Sequence, residues 1–198
     1  MTDAEDNTVS DEGLLARIAR SDERAFETLV RRHRGRILNL IYRSLGDRNQ
    51  AEDVAQEVFL RVWRAAGEYT PKAKFTTWVY RIAVNLCLDT LKSAHFRQSF
   101  VSPDIGSENP AEENRPAGAC DSVRSPEELL LAAEETRRIF AALQGLPANQ
   151  RMAVVLKKFD GLSYEEISRI IGCSVSAVES LLVRAKRTLR DKLLLDGS

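Results

Sequence analysis

Between Lys72 and Arg97 the chain sets cations among aromatic rings, with Lys72, Lys74, Arg81, Lys92 and Arg97 interspersed with Phe75, Trp78, Tyr80 and Phe96. A single nucleic-acid strand demands this chemistry, because phosphates meet positive charge while unstacked bases find π-faces. Taken singly, each ring is more often a core residue than a base platform. A second stretch, "DGLSYEEISRIIGCSVSAVESLLVRAKRTLR" from Asp160 to Arg190, offers different chemistry. Ser163 and Glu166 form a capping box for one helix, and Gly172 permits a left-handed turn. Ser174 or Ser176 can then cap a second helix. Val175, Val178, Leu182 and Ala185 make that helix's inward stripe, leaving Ser176, Ala177, Glu179, Ser180, Arg184, Lys186 and Arg187 outward. A helix of this form fits the major groove, its first residues near base edges and its basic end near phosphates. The same pattern also describes an ordinary helical hairpin with a solvated basic tail.

The elements that must position these residues are helices. From Leu14 to Phe96 apolar residues recur at three- and four-residue steps, as in Phe26, Leu29, Val30 and then Ile37, Leu40, Ile41. Ser21 or Asp22 can cap one helix; Asp47 or Asn49 can cap the next, with Gly67 as its C-terminal stop. That helix, "AEDVAQEVFLRVWRA", turns Val54, Val58, Val62, Phe59 and Trp63 inward. Its other face shows Asp53, Gln56, Glu57, Leu60, Arg61 and Arg64, a mixture of acids, bases and a leucine that suits a protein partner better than DNA. A third long helix carries "TTWVYRIAVNLCLDTLKSA". No stretch shows the two-residue alternation of a strand. The fold class expected is all-α.

Residues 98–125 break the pattern with prolines, glycines, serines and an acidic excess, a composition unable to assemble a packed core. Ser125, Pro126 and Glu128 then open a new helix, followed by others at about 147–159, 163–171 and 174–194. The organisation expected is an acidic tail (1–12), a helical domain (13–97), a flexible acidic linker (98–125) and a helix-turn-helix domain (126–198). Charge follows the same divisions. The net charge is zero, yet residues 13–97 carry 16 bases against 9 acids while residues 1–12 carry five acids and no base. Such segregation permits a nucleic-acid partner.

Several classes fall away. The apolar runs are too short to cross a bilayer, and the acidic polar N-terminus is neither a signal nor a transit peptide, so a cytoplasmic protein without membrane insertion is expected. Cys87, Cys120 and Cys173 are widely spaced and odd in number, which argues against a disulfide framework. No Cys or His pair has metal-ligand spacing, so neither metal nor cofactor is expected. There is no glycine-rich phosphate loop or nucleophile elbow, and His33 and His95 alone leave little for acid–base work, so no enzyme is expected. A stand-alone helix-turn-helix regulator remains as the alternative, although residues 13–97 lack the strand–helix alternation of a receiver domain.

Taken in order, "AEDVAQEVFLRVWR", "FTTWVYRIAVNLCLDTL" and "LSYEEISRIIGCSVSAVESLLVRAKRTLR" resemble bacterial RNA polymerase sigma factors of the extracytoplasmic function (ECF) group of the sigma-70 family. The resemblance covers residues 13–97 and 127–195. It implies a domain two that docks on the polymerase clamp and opens the −10 element, and a domain four that reads the −35 element as duplex beside the polymerase flap. Asp53, Gln56, Glu57, Leu60 and Arg61 would then face polymerase. Lys74, Phe75, Trp78, Arg81, Asn85 and Lys92 would meet the melted strand, with Asn85 bonding an extruded base. Ser174, Ser176, Ala177, Glu179 and Ser180 would lie near base edges, and Arg184, Lys186 and Arg187 near phosphates. The family also implies an anti-sigma factor, often membrane-anchored, and a stress or envelope regulon. At Glu179 and Leu181 the chain departs from relatives that carry bases there.

Two promoter elements about one and a half turns apart require a span of roughly 50 Å. A coil of this linker's length relaxes to about 30 Å and extends to ~90 Å. The span is reached only when a large partner holds the domains apart. The free chain is expected to keep its domains together and to bind DNA weakly.

Overall fold

A computed structural model describes residues 9–70, 74–100 and 126–195. Eight α-helices account for nearly all of it, and the described residues include no strand. They run α1 (Asp11–Ile18), α2 (Glu23–Leu45), α3 (Arg48–Ala65), α4 (Phe75–Phe100), α5 (Pro126–Gln144), α6 (Ala148–Lys158), α7 (Tyr164–Ile171) and α8 (Val175–Leu195).

Local chemistry fixes most helix starts. Ser10, Asp22 and Asp47 each accept a backbone N–H of the first turn of α1, α2 and α3. These side chains satisfy donors that the helix itself cannot. Helix α1 begins at Asp11, inside the segment expected to be a tail. Asp11 accepts from Arg32 Nη1 and contacts His33 Nε2, both at 2.9 Å, so it is anchored to α2. Gly67 does not stop α3. The helix ends at Ala65 and tightens into a 3₁₀ turn, Ala66–Glu68, with Ala66 still right-handed. Helix α4 continues to Phe100, three residues into the segment expected to be linker. Residues 101–125, which hold the rest of that linker, Cys120 and the Ser125 cap, lie outside the described residues.

Helices α1 to α4 pack as one bundle around Leu15, Leu29, Ile37, Ile41, Val58, Val62 and Phe75. Helices α6, α7 and α8 pack around Met152, Leu156, Ile167, Ile170 and Val178. The two groups share one continuous core, because α5 and α6 lie on α2 while α6 and α7 lie on α4. Helix α4 is therefore clasped between groups and buries Val79, Tyr80, Ala83, Val84 and Cys87. A helix buried this way is apolar over most of its circumference. That explains why only a narrow stripe of it stays polar.

Candidate nucleic-acid interface

Lys74, immediately before α4, and Trp78, Arg81, Asn85 and Lys92 on it recur at steps of three, four and seven residues and so fall on one face. Lys74, Arg81, Asn85 and Lys92 are exposed, and Trp78 is half-buried. From Lys74 to Lys92 the stripe runs about 27 Å at the α-helical rise, long enough for several nucleotides of extended strand. Trp78 is braced by Tyr69 and Phe75, with ring centroids at 5.1 and 6.0 Å.

Phe75 does not belong to that face. It is 1% exposed and edge-on to the His33 ring at 4.9 Å. A ring enclosed in this way has no surface to offer a base, so its expected role in strand binding is corrected to core packing. Cys87 is fully buried, and burial pushes its thiol up to about 12, which makes it an inert core group.

The helix-turn-helix forms from the local signals in its sequence. Ser163 accepts from Glu166 N at 3.2 Å, and the Glu166 carboxylate accepts from Ser163 N at 2.9 Å. Gly172 takes φ +79, a conformation that side-chain-bearing residues seldom adopt, and its N–H caps the Ser168 carbonyl at 2.9 Å. Ser174 caps α8 by accepting from Ala177 N at 3.2 Å. Val178 and Ala185 are buried, while Ser176, Glu179, Ser180, Arg184, Lys186 and Arg187 are exposed. No acid pairs with Arg184, Lys186 or Arg187 among the described residues.

Sequence reasoning missed two contributors to this surface. Val183 is 70% exposed, one turn beyond Ser180 on the outward face. An isolated apolar residue among polar ones leaves no periodic signal. Asn149, at the start of α6, joins Ser176, Ala177, Ser180, Leu181 and Arg184 around a shallow concavity of about 470 Å³. Only the packing of α6 on α8 brings it there. Glu179 is absent from that lining and stands on the flank.

The polar stripe of α3 differs in character. Asp53, Gln56, Leu60 and Arg61 are exposed, Leu60 by 46%, and Glu57 is half-exposed. Arg61 Nε donates to Glu57 at 2.8 Å, so much of its charge is internally balanced. Among the described residues there is no group of His, Cys, Asp and Glu that could hold a metal, and no helix long and apolar enough to cross a membrane.

A helix-turn-helix with a free cationic end, joined to a bundle bearing a second cationic stripe, defines a DNA-directed protein. The sigma-70 region 2 family matches residues 29–97 and the sigma-70 region 4 family matches residues 136–189. RNA polymerase sigma-H factor of Pseudomonas aeruginosa is 37% identical over 184 residues, 93% of each chain. ECF RNA polymerase sigma-E factor of Escherichia coli K12 is 34% identical over 185 residues, covering 93% of this chain and 95% of the other. Among solved structures, CnrH in complex with the cytosolic domain of CnrY is 28% identical, with a TM-score of 0.63 over 96% of this chain and 99% of that one. Sigma factor RpoE of Bartonella quintana, solved with the anti-sigma factor NepR, shares the fold at a TM-score of 0.65 and 21% identity over 86% of this chain and 98% of that one. The chain belongs to the ECF group of the sigma-70 family, whose members are transcription initiation factors.

Proposed function

We propose that the chain, acting as a sigma factor, uses three separate faces. The α3 stripe of Asp53, Gln56, Glu57, Leu60 and Arg61 docks on core RNA polymerase. Its exposed leucine within balanced charges is the composition of a protein interface rather than a DNA surface. The α4 stripe of Lys74, Trp78, Arg81, Asn85 and Lys92 takes the melted −10 strand, cations on phosphates, Trp78 under a base and Asn85 on a base edge. The start of α8, with Ser174, Ser176, Ala177 and Ser180, lies along base edges of the −35 duplex. Val183 is positioned to meet a thymine methyl, and Arg184, Lys186 and Arg187 meet phosphates.

On this reading domain two comprises helices α1 to α4, residues 11–100, and domain four comprises helices α5 to α8, residues 126–195. The protein works in the cytoplasm, without catalysis or cofactor, and is held in reserve by an anti-sigma factor. The observation that carries the reading is the single-face register of the α4 stripe, separate from a second cationic surface on α8. In vitro transcription with core polymerase on a randomised promoter library tests it. Recovery of two conserved elements about one and a half turns apart is expected. Recovery of one element, or initiation unaffected by the chain, would overturn the reading in favour of a stand-alone regulator.

A further inference from the structure

Both rings that brace Trp78 are tied to the start of α1, a helix that carries none of the residues proposed to meet DNA. Asp11, the first residue of α1, accepts from Arg32 Nη1 and from His33 Nε2. An ionised carboxylate only accepts, so the hydrogen of the second bond sits on His33 Nε2. That bond orients an imidazole that is 8% exposed and lies edge-on to Phe75. The Phe75 ring in turn lies 6.0 Å from Trp78, one turn along α4. A second route reaches the same tryptophan. Helix α1 packs on the 3₁₀ turn Ala66–Glu68, and the next residue, Tyr69, tilts against Trp78 at 5.1 Å. Burial, and after it the Glu12 and Asp11 carboxylates, push the Tyr69 hydroxyl above its ordinary value, so that hydroxyl lies within the field of the start of α1. Leu14, Leu15 and Ile18 anchor the rest of α1 in the core.

We propose that Asp11 is a positioning residue for strand binding. Through His33 and Phe75 on one side and Tyr69 on the other, the start of α1 fixes the Trp78 ring in the orientation that stacks on a base. A half-buried ring without such bracing samples several rotamers, and affinity falls with the fraction of time spent in the competent one. Bracing from behind removes that loss before the strand arrives. An acidic residue within the segment expected to be a tail thus serves the site without touching DNA. The proposal rests on the reading of Trp78 as a base platform given above.

A double-mutant cycle in reconstituted holoenzyme tests this, read as affinity for a single-stranded −10 oligonucleotide. Asp11→Ala should weaken binding about five-fold in the parent and less than about two-fold when Trp78→Ala is already present, because a positioning residue acts only through the ring it positions. Asp11→Asn, whose amide oxygen still accepts from His33, should lose less than Asp11→Ala. Unchanged or tighter binding by Asp11→Ala, or an equal loss in both backgrounds, overturns the proposal. Equal losses for Asp11→Asn and Asp11→Ala overturn the route through His33. A spectroscopic readout follows the ring itself. The chain has two tryptophans, so Trp63→Phe leaves the emission of Trp78 alone in the spectrum. In that background Asp11→Ala should shift the emission to longer wavelength and make it more readily quenched by acrylamide, with helical content retained. An unchanged spectrum overturns positioning. If Trp78→Ala by itself leaves strand affinity intact, the reading of Trp78 is what fails, and the emission of the Asp11→Ala chain still judges whether Asp11 sets the ring.

Discussion

Helices α4 and α8 each carry a stripe suited to DNA, but they are embedded differently. Helix α4 is clasped on most sides, and its stripe is a narrow polar seam beside Phe75, Val79 and Ala83. Helix α8 fully buries Val178 and Ala185, packs Leu182 and Leu189 partly against the core, and leaves Ser176, Glu179, Ser180, Val183 and Arg184 exposed. On the proposed reading, recognition by α4 is therefore tied closely to the core, whereas recognition by α8 depends on it less. This suits a surface that must hold unpaired bases firmly and another that need only lie in a groove.

The strongest way to break the comparison is Phe75→Ala. Removing this buried ring should cost about 3–5 kcal/mol of stability, seen as a large fall in the chemical-denaturation midpoint. If stability barely changed while strand binding collapsed, Phe75 would be a base platform after all. Next in size is Trp78→Ala, one turn along the same helix. A half-buried ring that stacks on a base should lose about 1–3 kcal/mol of −10 strand affinity in holoenzyme, with a smaller loss of stability. Equal loss in both quantities would make Trp78 another core residue.

These two aromatics also show where sequence stops informing. Phe75 and Trp78 sit in the same basic run and are indistinguishable by type. They are separated by the His33 ring, which arrives from α2 and encloses Phe75. Features set by neighbours a few residues apart were legible: Asp22, Asp47, the Ser163–Glu166 box and the left-handed Gly172 all cap where their types suggest. Gly67 misled because a glycine signals a helix end only when the chain needs a positive φ, and here a 3₁₀ turn ends the helix without one. The contacts between groups were beyond reach. Tyr80 meets Asp160 across 80 residues and Arg151 meets Ser44 across 107, and no local pattern encodes such pairs. In the site, the α8 face was legible from helical spacing, whereas Asn149 joined it only through the packing of α6.

On α8 the expected effects are smaller and purely electrostatic. Arg184→Ala and Arg187→Ala should leave thermal unfolding unchanged, because both side chains are exposed and no acid pairs with them among the described residues. Each should lower −35 affinity evenly across sequences and reduce the slope of log affinity against log salt by about 0.9. A loss confined to one base pair would instead make that arginine a base reader and narrow the contrast with α4.

The smallest effect expected is at Glu179, the one acid in the first turns of α8. Its side chain is exposed on the flank of α8 and takes no part in the concavity formed by Ser176, Ala177, Ser180, Leu181 and Arg184. A carboxylate in that position repels the phosphate backbone weakly and through solvent, so Glu179→Ala should raise duplex affinity about two-fold, less at high salt. The alternative is direct reading of a cytosine amino group, which would cost about 1–3 kcal/mol at a single base pair when the carboxylate is removed. Promoter-library profiles of parent and variant separate the two. A uniform gain keeps α8 a helix whose cations supply affinity and whose serines and Val183 supply discrimination. A preference lost at one position would transfer part of the discrimination to an acid, a stricter reader than the small residues around it, because a carboxylate accepts but never donates.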